Sequence, residues 1–398
     1  MSEVKKQLDQ GDIKLHQLEK YVSKHEAVGL RREYIASKSN QNLDSLGVFS
    51  FDSDQIYQKN CENVIGGISI PVGISGPVKV DGDYAHGEFW VPLATTEGAL
   101  IASVNRGMKV ISESGGARTS LDYVGMTRAP LFKLEKGISI DQFESWLFSV
   151  EEELKAIAES TSKYIKVLKW QLFSEERYVW IRFNFDTGEA MGMNMATIAS
   201  QAISEWIVEQ FEGIIFLSTS GNMCVDKKPA IINLEEGRGR IVEAEVLIPE
   251  KIVRDDLKTT IDSIVELVHA KTHLGSEMAG SLGKNAHAAN MLSAVFIATG
   301  QDPAQVVDGS LATTSAERRG AALWFHVRIP ALEVGTVGGG TNLPAQRQAL
   351  ELMIGKIDTN KTHALAEIIA TTVLAGELSL HASMASCTFV DAHQKLGR

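Results

Sequence analysis

A short segment of this chain places three charged side chains directly after an apolar run. Residues 214–217 read Ile-Ile-Phe-Leu and predict a buried strand, and residues 220–229 read Ser-Gly-Asn-Met-Cys-Val-Asp-Lys-Lys-Pro. Asp226, Lys227 and Lys228 would then lie where loss of solvent strengthens electrostatic interactions. A fixed ammonium group in such a place suits the stabilisation of an oxygen anion that develops during a reaction. A solvated turn before a proline explains the same pattern without any chemistry.

Two acidic residues elsewhere in the chain are candidates to act with Lys227. Glu97 lies in Thr-Thr-Glu-Gly at the predicted first turn of a helix, and Asp302 precedes a proline, as helix caps often do. Both positions also have a purely structural explanation, because a helix N-terminus stabilises an acid. If both acids approached Lys227, their repulsion would raise one carboxyl pKa while the ammonium group paired with the other acid. Such a triad can relay protons.

Glycine-rich and amide-rich segments are candidates for ligand contacts. Residues 335–342 read Gly-Thr-Val-Gly-Gly-Gly-Thr-Asn after a predicted strand, and their flexible amides suit an anionic group. Residues 188–195 form a second glycine-containing turn ahead of a predicted helix, whose N-terminus suits a phosphate. Asn290 stands in a run of small residues that suits either a ligand or a tightly packed helix. His393, near the C-terminus, suits either a frayed tail or a lid.

Several well-known sequence patterns are absent from the chain. We find no G-x-G-x-x-G, Walker A, H-E-x-x-H or G-x-S-x-G pattern, so a Rossmann domain, nucleotide hydrolysis, zinc proteolysis and serine esterase chemistry lack support. Cys61, Cys224 and Cys387 are far apart in sequence and form no C-x-x-C pair. We therefore expect neither a disulfide framework nor a metal site.

Composition narrows the class of protein further. The 44% hydrophobic and 22% charged residues are typical of a soluble globular protein, and no uninterrupted apolar run is long enough to cross a membrane. The formal net charge of -11 would repel a phosphate backbone, which excludes nucleic acid as a natural partner. The polar N-terminus lacks the apolar region of a secretory signal, so we expect a cytoplasmic protein that does not enter a membrane.

The order of predicted elements indicates an α+β fold in three parts. Residues 1–60 contain no proline, and Leu15, Leu18 and Tyr21 have the spacing of one helix face, so this part is predicted to be a helical N-terminal domain. Residues 61–129 and 219–398 mix strand and helix patterns and form the predicted large substrate and catalytic domain.

The part between these two stretches, residues 130–218, is predicted to be a small inserted domain. It contains a helical segment over 141–166, a strand over 178–185 and another helix after residue 194. An insertion of this kind requires the two ends of the segment, Pro130 and Ser218, to lie close together.

Nine segments of the chain, taken in order, closely resemble 3-hydroxy-3-methylglutaryl-coenzyme A reductases. They are residues 62–66, 71–73, 95–98, 125–128, 190–195, 226–229, 285–290, 300–302 and 335–343. Each segment is short, but nine of them in the family's order and near its spacing are specific. The lysine-containing run and the triple glycine are most similar to the class I form, typified by the eukaryotic catalytic domain.

The resemblance implies a four-electron reduction of hydroxymethylglutaryl-coenzyme A to mevalonate and coenzyme A, a step towards isoprenoids, with both hydrides from NADPH. By this match Lys227 would stabilise the oxyanion and Asp302 would orient Lys227. Glu97 would supply a proton to the aldehyde-level intermediate, and His393 would protonate the departing thiolate. The residues that hold the hydroxymethylglutaryl group would be Arg128, Ser220, Asp226, Lys228 and Asn290.

The resemblance also implies that residues 130–218 form a ferredoxin-like domain that binds the dinucleotide without a Rossmann fingerprint. Its cofactor-binding positions, with two from the triple glycine, would be Ser162, Lys163, Glu189, Met193, Asn194, Gly338 and Gly339. A member of the family used for comparison has arginine at the position of Lys163 and aspartate at that of Glu189. Lysine keeps a positive charge for a 2′-phosphate but loses the bidentate geometry of arginine. NADPH is therefore the expected cofactor, and use of NADH is left open.

The family's site is completed across a dimer interface, so the resemblance implies a homodimer or homotetramer. Two other functions stay open from the residues alone. One is a thiolase-like acyltransferase in which Cys224, beside Lys227, is the nucleophile and no dinucleotide is used. The other is a non-catalytic protein that binds coenzyme A. The physiological direction of the reaction is also left open.

Overall fold

The computed structural model describes residues 2–57 and 59–386. Helices and mostly antiparallel strands are mixed along this part of the chain, which is the predicted α+β class. The strands are β1 (Val72–Asp81), β2 (His86–Ala94), β3 (Ala117–Arg128), β4 (Leu131–Leu134), β5 (Lys166–Glu175), β6 (Tyr178–Asp186), β7 (Ile214–Ser218), β8 (Arg238–Pro249), β9 (Thr313–Arg319) and β10 (Ala322–Leu332). The α-helices are α1 (Ser2–Gln10), α2 (Lys24–Ser39), α3 (Ser53–Ile56), α4 (Leu100–Glu113), α5 (Ile140–Ser149), α6 (Glu151–Thr161), α7 (Met193–Gln210), α8 (Ile231–Glu235), α9 (Glu250–Asp255), α10 (Ile261–Leu267), α11 (Ser276–Ala279), α12 (Ala288–Thr299), α13 (Val306–Gly309), α14 (Pro344–Ile354) and α15 (Lys361–Ala385).

The strands are joined into one sheet network through the long strand β3. The main order is β7-β4-β6-β3-β8-β10-β9, with β1 and β2 attached beside β3 and with β5 attached beside β6. The first part of β3 pairs with β8, whereas Met126 to Arg128 pair with β6. The strand changes partner at Gly125, whose φ of +81° favours glycine and whose Cβ would lie 2.6 Å from the carbonyl oxygen of Phe185. This bend lets one strand serve two hydrophobic cores.

The larger core is built around helix α15. Almost every residue of this helix from Thr362 to Ala382 is buried, and it packs against α4, β8, β10 and α12. A helix that is apolar on all sides belongs inside a core or inside a membrane. By length and composition α15 could cross a bilayer, but 78% of its most apolar window is buried inside the fold. The helix is therefore the central support of the larger core.

A second core is formed by residues between Met126 and Ile214. Helices α5, α6 and α7 cover a sheet of β4, β5, β6, β7 and the end of β3, and the buried side chains include Phe132, Phe183 and Ile203. Leu131 of β4 pairs with Ser218 of β7, so the two ends of this segment lie side by side. The chain thus leaves the larger core and returns to it at nearly the same place.

The N-terminal region has a small helical core of its own. Leu8, Leu18 and Leu30 are among the side chains buried there. The prediction that Leu15, Leu18 and Tyr21 share one helix face is wrong for Tyr21. Leu15–Lys20 is a 3-10 helix, and Tyr21 is 54% exposed. The tighter helix ends before Tyr21, so that side chain points to solvent.

One predicted helix is divided in the structure. The helical segment over 141–166 is α5 and α6, and the chain becomes extended at Ser162 before β5 begins at Lys166. The stretch from Glu250 to Ala279 consists of α9, α10, a π-helix (Val268–Gly275) and α11. Apolar periodicity indicated the helical content correctly, but breaks in backbone geometry do not change that periodicity and were missed.

The crossing of α4 and α15 leads to a testable prediction. A Cβ at Gly107 would lie 2.0 Å from the carbonyl oxygen of Ala375, so Gly107→Ala should push the two helices apart. We expect the variant to lose about 1–3 kcal/mol of unfolding free energy by overpacking, measured by urea denaturation. Gly29 of α2 is the matched control, because a Cβ there meets nothing within 4 Å. Gly29→Ala should gain about 0.5–1 kcal/mol, and equal effects at both positions would contradict the packing argument.

Candidate active site

The structure brings Lys227 and Asp302 together. The Nζ atom of Lys227 lies 2.8 Å from Oδ2 of Asp302, and the two side chains are 40% and 28% exposed. The hydrogen bond to Asp302 raises the pKa of Lys227 above its ordinary value, although partial burial acts in the opposite direction. The ammonium group is therefore charged and points at Asp302. The sequence predicted a buried site for it, but in the single chain it is only partly buried.

Asp302 has both of the roles that its sequence context suggested. It is the N-cap of a 3-10 helix (Pro303–Gln305), and its Oδ1 accepts a hydrogen bond from the amide of Ala304 at 3.1 Å. Its other oxygen pairs with Lys227. Because the cap fixes the side chain, the carboxylate that meets the ammonium group is held in one orientation.

Glu97 is not part of this ion pair. Helix α4 begins at Leu100, and Glu97 precedes it in a turn where its amide donates to Oγ1 of Thr95 at 3.0 Å. The predicted position in the first helical turn is wrong, because Ala99 adopts a left-handed conformation with a φ of +71° and delays the start of the helix. Within the described residues of one chain, no hydrogen bond or ion pair joins Glu97 to Lys227.

Glu97 instead lines a cavity of about 440 Å³ between α4, α12 and α15. Asn290 and Arg106 also line this cavity, and Arg106 is held by its Nε donating to Oγ of Ser379 at 3.1 Å. The fully buried carboxylate of Glu377 accepts the amides of Ala286 and His287, which fixes the start of α12 and with it Asn290. The cavity thus combines an acid, a guanidinium group and an amide.

The Lys227 loop contains further residues singled out from the sequence. Nη1 of Arg128 lies 3.5 Å from Oγ of Ser220, and the buried Nε of Arg128 has no hydrogen-bond partner among the described residues. Oδ1 of Asp226 accepts from Arg238, and Nζ of Lys228 donates to the backbone carbonyl of Asp226 at 3.3 Å. These side chains surround the Lys227 ammonium group, with Asp226 turned towards the interior.

Cys224 lies in the same loop but is not placed as a nucleophile. Its side chain is 1% exposed, and among the described residues its polar neighbours are Ser220 at 3.5 Å and Arg128 at 4.0 Å. A catalytic thiol needs a base within reach and access for the substrate, and neither partner can remove its proton. The thiolase-like alternative is therefore not supported.

The sequence analysis missed the buried charges beneath this loop. Arg238 is fully buried and pairs with Asp226, Asp308 and Glu333 at 3.1, 3.1 and 3.2 Å. The signal in the sequence was a single acid inside an otherwise apolar run, as at Glu333 in Ile329-Pro-Ala-Leu-Glu-Val334. Such an acid needs a buried partner, but the partner's position in sequence cannot be read from the run itself.

The two glycine-containing segments meet in the structure. The amide of Thr336 donates to the carbonyl oxygen of Glu189 at 2.8 Å, and Ala190 and Val337 form a β-bridge. A Cβ at Gly335 would lie 2.5 Å from the amide nitrogen of Met191, so glycine is needed there. The exposed Gly338 and Gly339 therefore lie beside the turn that leads into α7.

The carboxylate of Glu189 is used to hold this junction. Its Oε2 accepts from the amide of Thr362 at 2.8 Å and from Oγ1 of Thr336 at 3.0 Å. Burial acts to raise the pKa of Glu189, but these hydrogen bonds outweigh burial and lower the pKa. The side chain joins the turn before α7 to the start of α15.

The remaining candidate residues lie around the start of α7 and the end of α6. Met193 is the first residue of α7 and its sulfur accepts from Nη2 of Arg238 at 2.9 Å, whereas Asn194 is exposed. Ser162 is the C-cap of α6, and the exposed Lys163 stacks over the ring of Tyr164 with Nζ 4.9 Å from its centroid. His393 and Cys387 lie outside the described residues.

Comparison with known proteins gives a consistent result. The family model described as hydroxymethylglutaryl-coenzyme A reductase matches residues 27–398. The chain is 43% identical over 392 residues to the 3-hydroxy-3-methylglutaryl-coenzyme A reductase of Methanothermobacter thermautotrophicus, covering 98% of each chain. It is 44% identical over 410 residues to that of Pyrococcus horikoshii, covering 100% of this chain and 98% of the relative.

More distant relatives have the same fold. Reductase 1 of Dictyostelium discoideum is 40% identical, and the match covers 98% of this chain and 72% of that protein. The solved class II reductase of Streptococcus pneumoniae, described as bound to NADPH in open conformations, aligns with a TM-score of 0.65 at 18% identity. That alignment covers 94% of this chain and 100% of the solved one, so the whole fold is shared.

The buried acid Glu333 leads to a prediction about stability and pH. Burial raises its pKa from 4.5 to about 8, so the folded protein keeps a proton that the unfolded chain releases. The stability that this group contributes is complete below pH 4.5 and is lost as the pH rises through 8. We expect Glu333→Gln to weaken the fall in unfolding free energy between about pH 5 and pH 8, measured by urea denaturation. Parallel curves for the variant and the original protein would contradict this assignment.

Proposed function

The chain belongs to the hydroxymethylglutaryl-coenzyme A reductase family, and from this premise we propose that it reduces hydroxymethylglutaryl-coenzyme A to mevalonate and coenzyme A with NADPH. The observation that carries this proposal is the ammonium group of Lys227, held 2.8 Å from Asp302 and partly open to solvent. The family's activity makes the chain an oxidoreductase. The residues around Lys227 supply what that reaction requires.

Both reductions create negative charge on one oxygen atom. Hydride addition to the thioester carbonyl gives an oxyanion that takes a proton to form a thiohemiacetal. The hydroxyl group then gives up its proton as the C–S bond breaks, which releases an aldehyde and the thiolate of coenzyme A, and the thiolate takes up a proton. A second hydride and proton convert the aldehyde to the alcohol. Lys227 would stabilise the oxyanion each time, because a directed ammonium group gains more as charge develops than in the ground state.

Two further residues, Glu97 and His393, would transfer the protons. We assign Glu97 the proton that completes aldehyde reduction and His393 the protonation of the departing thiolate, as the family resemblance implies. Asp302 would keep Lys227 charged and directed, which agrees with the raised pKa of that lysine. Arg128, Ser220, Asp226, Lys228 and Asn290 would bind the hydroxymethylglutaryl portion, and the partner-free Nε of Arg128 is a donor suited to a carboxylate.

The separation of Glu97 from Lys227 supports a site that is completed by a second copy of the chain. One copy would supply Lys227 and Asp302, and the other would supply Glu97 and Asn290 from the cavity beside α4. The apolar side chains of Ile68 and Val72, 81% and 60% exposed, lie close in sequence to the 62–66 motif and fit such an interface. A homodimer, or a tetramer built from dimers, follows from this proposal.

The residues near α7 fit a dinucleotide. Helix α7 has 18 residues, its N-cap Gly192 is left-handed, and in the part of the chain that the structure describes no side chain caps its first amides. Those free amides, with the exposed Gly338 and Gly339 beside them, suit a pyrophosphate. When bound, the nicotinamide supplies the hydride. Ser162, Glu189, Met193 and Asn194 would line the site, and Glu189 would also fix the turn.

We further propose that residues 130–218 are the cofactor domain, that residues 61–129 and 219–398 bind the thioester, and that residues 1–60 cap the fold. The separate core formed between Met126 and Ile214 supports this division. A cytoplasmic location agrees with small, water-soluble substrates and remains part of the same proposal.

Replacing Lys227 tests the proposed function. We expect Lys227→Ala to lower kcat by at least about 10²–10³-fold for both the thioester and the free aldehyde, since both pass through an oxyanion. The rate is followed by loss of nicotinamide absorbance. Lys258→Ala is the matched control, because Lys258 is also an exposed, left-handed lysine, with a φ of 58° against 59° for Lys227. Equal rates for the two variants, or no NADPH oxidation by the original protein, would contradict the proposal.

Replacing Lys163 tests the cofactor preference. Its ammonium group is the charge proposed to meet the 2′-phosphate, so Lys163→Ala should raise the KM for NADPH by about 10-fold and change that for NADH little. Initial rates with the two cofactors side by side give the measurement. Lys136→Ala, at an exposed turn between β4 and α5, is the control. An equal rise for both cofactors would exclude recognition of the phosphate by Lys163.

A further inference from the structure

The loop that carries Lys227 has an unusual backbone. Lys227 has a φ of 59° and Val225 has a φ of 43°, and Asn222 is left-handed as well. A β-branched residue such as valine rarely adopts this region, because its Cβ crowds the following carbonyl group. Such strain persists only where the surroundings fix the conformation, and it is concentrated at functional sites.

Asp308 holds the backbone at the strained position. Its Oδ2 accepts the amide of Lys227 at 3.0 Å, and its Oδ1 accepts the amide of Lys228 at 3.2 Å. One carboxylate therefore binds two consecutive amides, which fixes the peptide plane between Lys227 and Lys228. Because the direction of a side chain follows from its backbone, this contact also sets the direction of the Lys227 side chain.

Asp308 is itself fixed in a fully buried network. It is 0% exposed, Nη1 of Arg238 donates to its Oδ2 at 3.1 Å, and Nδ2 of Asn233 lies 3.4 Å from its Oδ1. Burial raises the pKa of Asp308, while Arg238 and the two loop amides act in the opposite direction. Both oxygen atoms of the Asp308 carboxylate therefore accept hydrogen bonds.

The same network holds the loop at two further backbone carbonyl groups. Asn233 donates to the carbonyl oxygen of Val225 at 2.9 Å, and Oγ1 of Thr127 donates to that of Cys224 at 2.8 Å. Arg238 in turn donates from its Nε to Oγ1 of Thr127 at 2.9 Å. The backbone from residue 224 to residue 228 is therefore anchored to one buried cluster.

We propose that Asp308, held by Arg238, is the positioning residue of the catalytic lysine: it fixes the left-handed turn that directs the Lys227 ammonium group at Asp302 and at the substrate oxygen. This inference rests on the proposed function for its kinetic consequences. It assigns Asp308 no contact with substrate, because its oxygens are buried and occupied by the loop and by Arg238.

The substitution Asp308→Asn tests this role. An asparagine has the same shape but one acceptor oxygen, so only one of the two loop amides keeps its partner. A small displacement of Lys227 should lower kcat by about 10–100-fold while the KM for the thioester changes by less than about 3-fold. If the substitution only reduced the amount of folded protein, the rate would fall by the same factor at every pH and the pH–rate profile would keep its shape.

The pH dependence therefore separates positioning from general damage. The charged groups that act on Lys227 are Asp302, Asp226 and Arg238, and the hydrogen bond that Lys227 donates to Asp302 is the largest cause of the raised lysine pKa. If Lys227 no longer points at Asp302, its pKa should fall. The alkaline limb of the pH–rate profile, measured with the free aldehyde because the thioester is base-labile, should then move to lower pH.

A matched control comes from the other side of the same guanidinium group. Glu333 is also buried and accepts from Nη1 of Arg238, but within the described residues no hydrogen bond joins it to the Lys227 loop. Glu333→Gln replaces an acid by its amide in the same cluster. We expect it to change kcat and the alkaline limb less than Asp308→Asn does.

An NMR titration gives a readout that does not need activity. Lysine amines labelled by reductive ¹³C-methylation report their pKa values, and the Lys227 signal is assigned by its loss in Lys227→Arg. A lower Lys227 pKa in Asp308→Asn than in Glu333→Gln supports positioning even if the original protein fails to reduce the thioester. An unchanged pKa together with an unchanged kcat overturns it.

A second variant covers the case in which Asp308→Asn does not fold. Asn233→Ala removes the donor to Val225 and to Asp308 without leaving a buried charge unpaired. It should lower kcat and the Lys227 pKa in the same direction, by less than Asp308→Asn. A folded Asn233→Ala variant with the original kcat and the original pKa would overturn the proposal equally.

Discussion

The buried guanidinium group of Arg238 is the interaction on which the candidate site depends. It pairs with three acidic side chains, and through Asp308 and Thr127 it reaches the backbone that carries Lys227. Removing one partner from such a cluster leaves a buried charge without compensation, which is far more costly than loss of an exposed ion pair. The ammonium group at the surface is thus directed by charges that never contact solvent.

The division of the chemistry between two regions explains the architecture. Lys227 and Asp302 lie on loops beside the buried cluster, whereas Glu97 lies before α4 and lines a cavity whose far wall is α15. The core helix α15 supports that cavity directly, and its Glu377 fixes the start of α12. Each region is held by its own hydrogen bonds, which agrees with the proposal that a second copy of the chain completes the site.

The junction beside α7 links the two hydrophobic cores. Glu189 belongs to the turn after β6 but hydrogen-bonds to Thr336 and Thr362, which support the triple glycine and the start of α15. Met193, the first residue of α7, rests on Arg238. The proposed cofactor region and the Lys227 loop therefore share one buried arginine, so the spacing between them is fixed by direct contacts.

The sequence by itself determined the α+β class, the positions of the main strands and helices, and which residues are candidates for the chemistry. Those features are local: a long run of mostly apolar residues marks α15, alternating apolar residues mark β8, and an acid before a proline marks the cap at Asp302. Only the tertiary structure decided that Asp302 meets Lys227, that Glu97 lines a different cavity, and that Arg238 and Asp308 hold the loop. These pairings join residues far apart in sequence, and no local pattern records which buried charge meets which. Which charged side chains pair depends on how the two hydrophobic cores pack against each other, and that packing forms only when the chain folds.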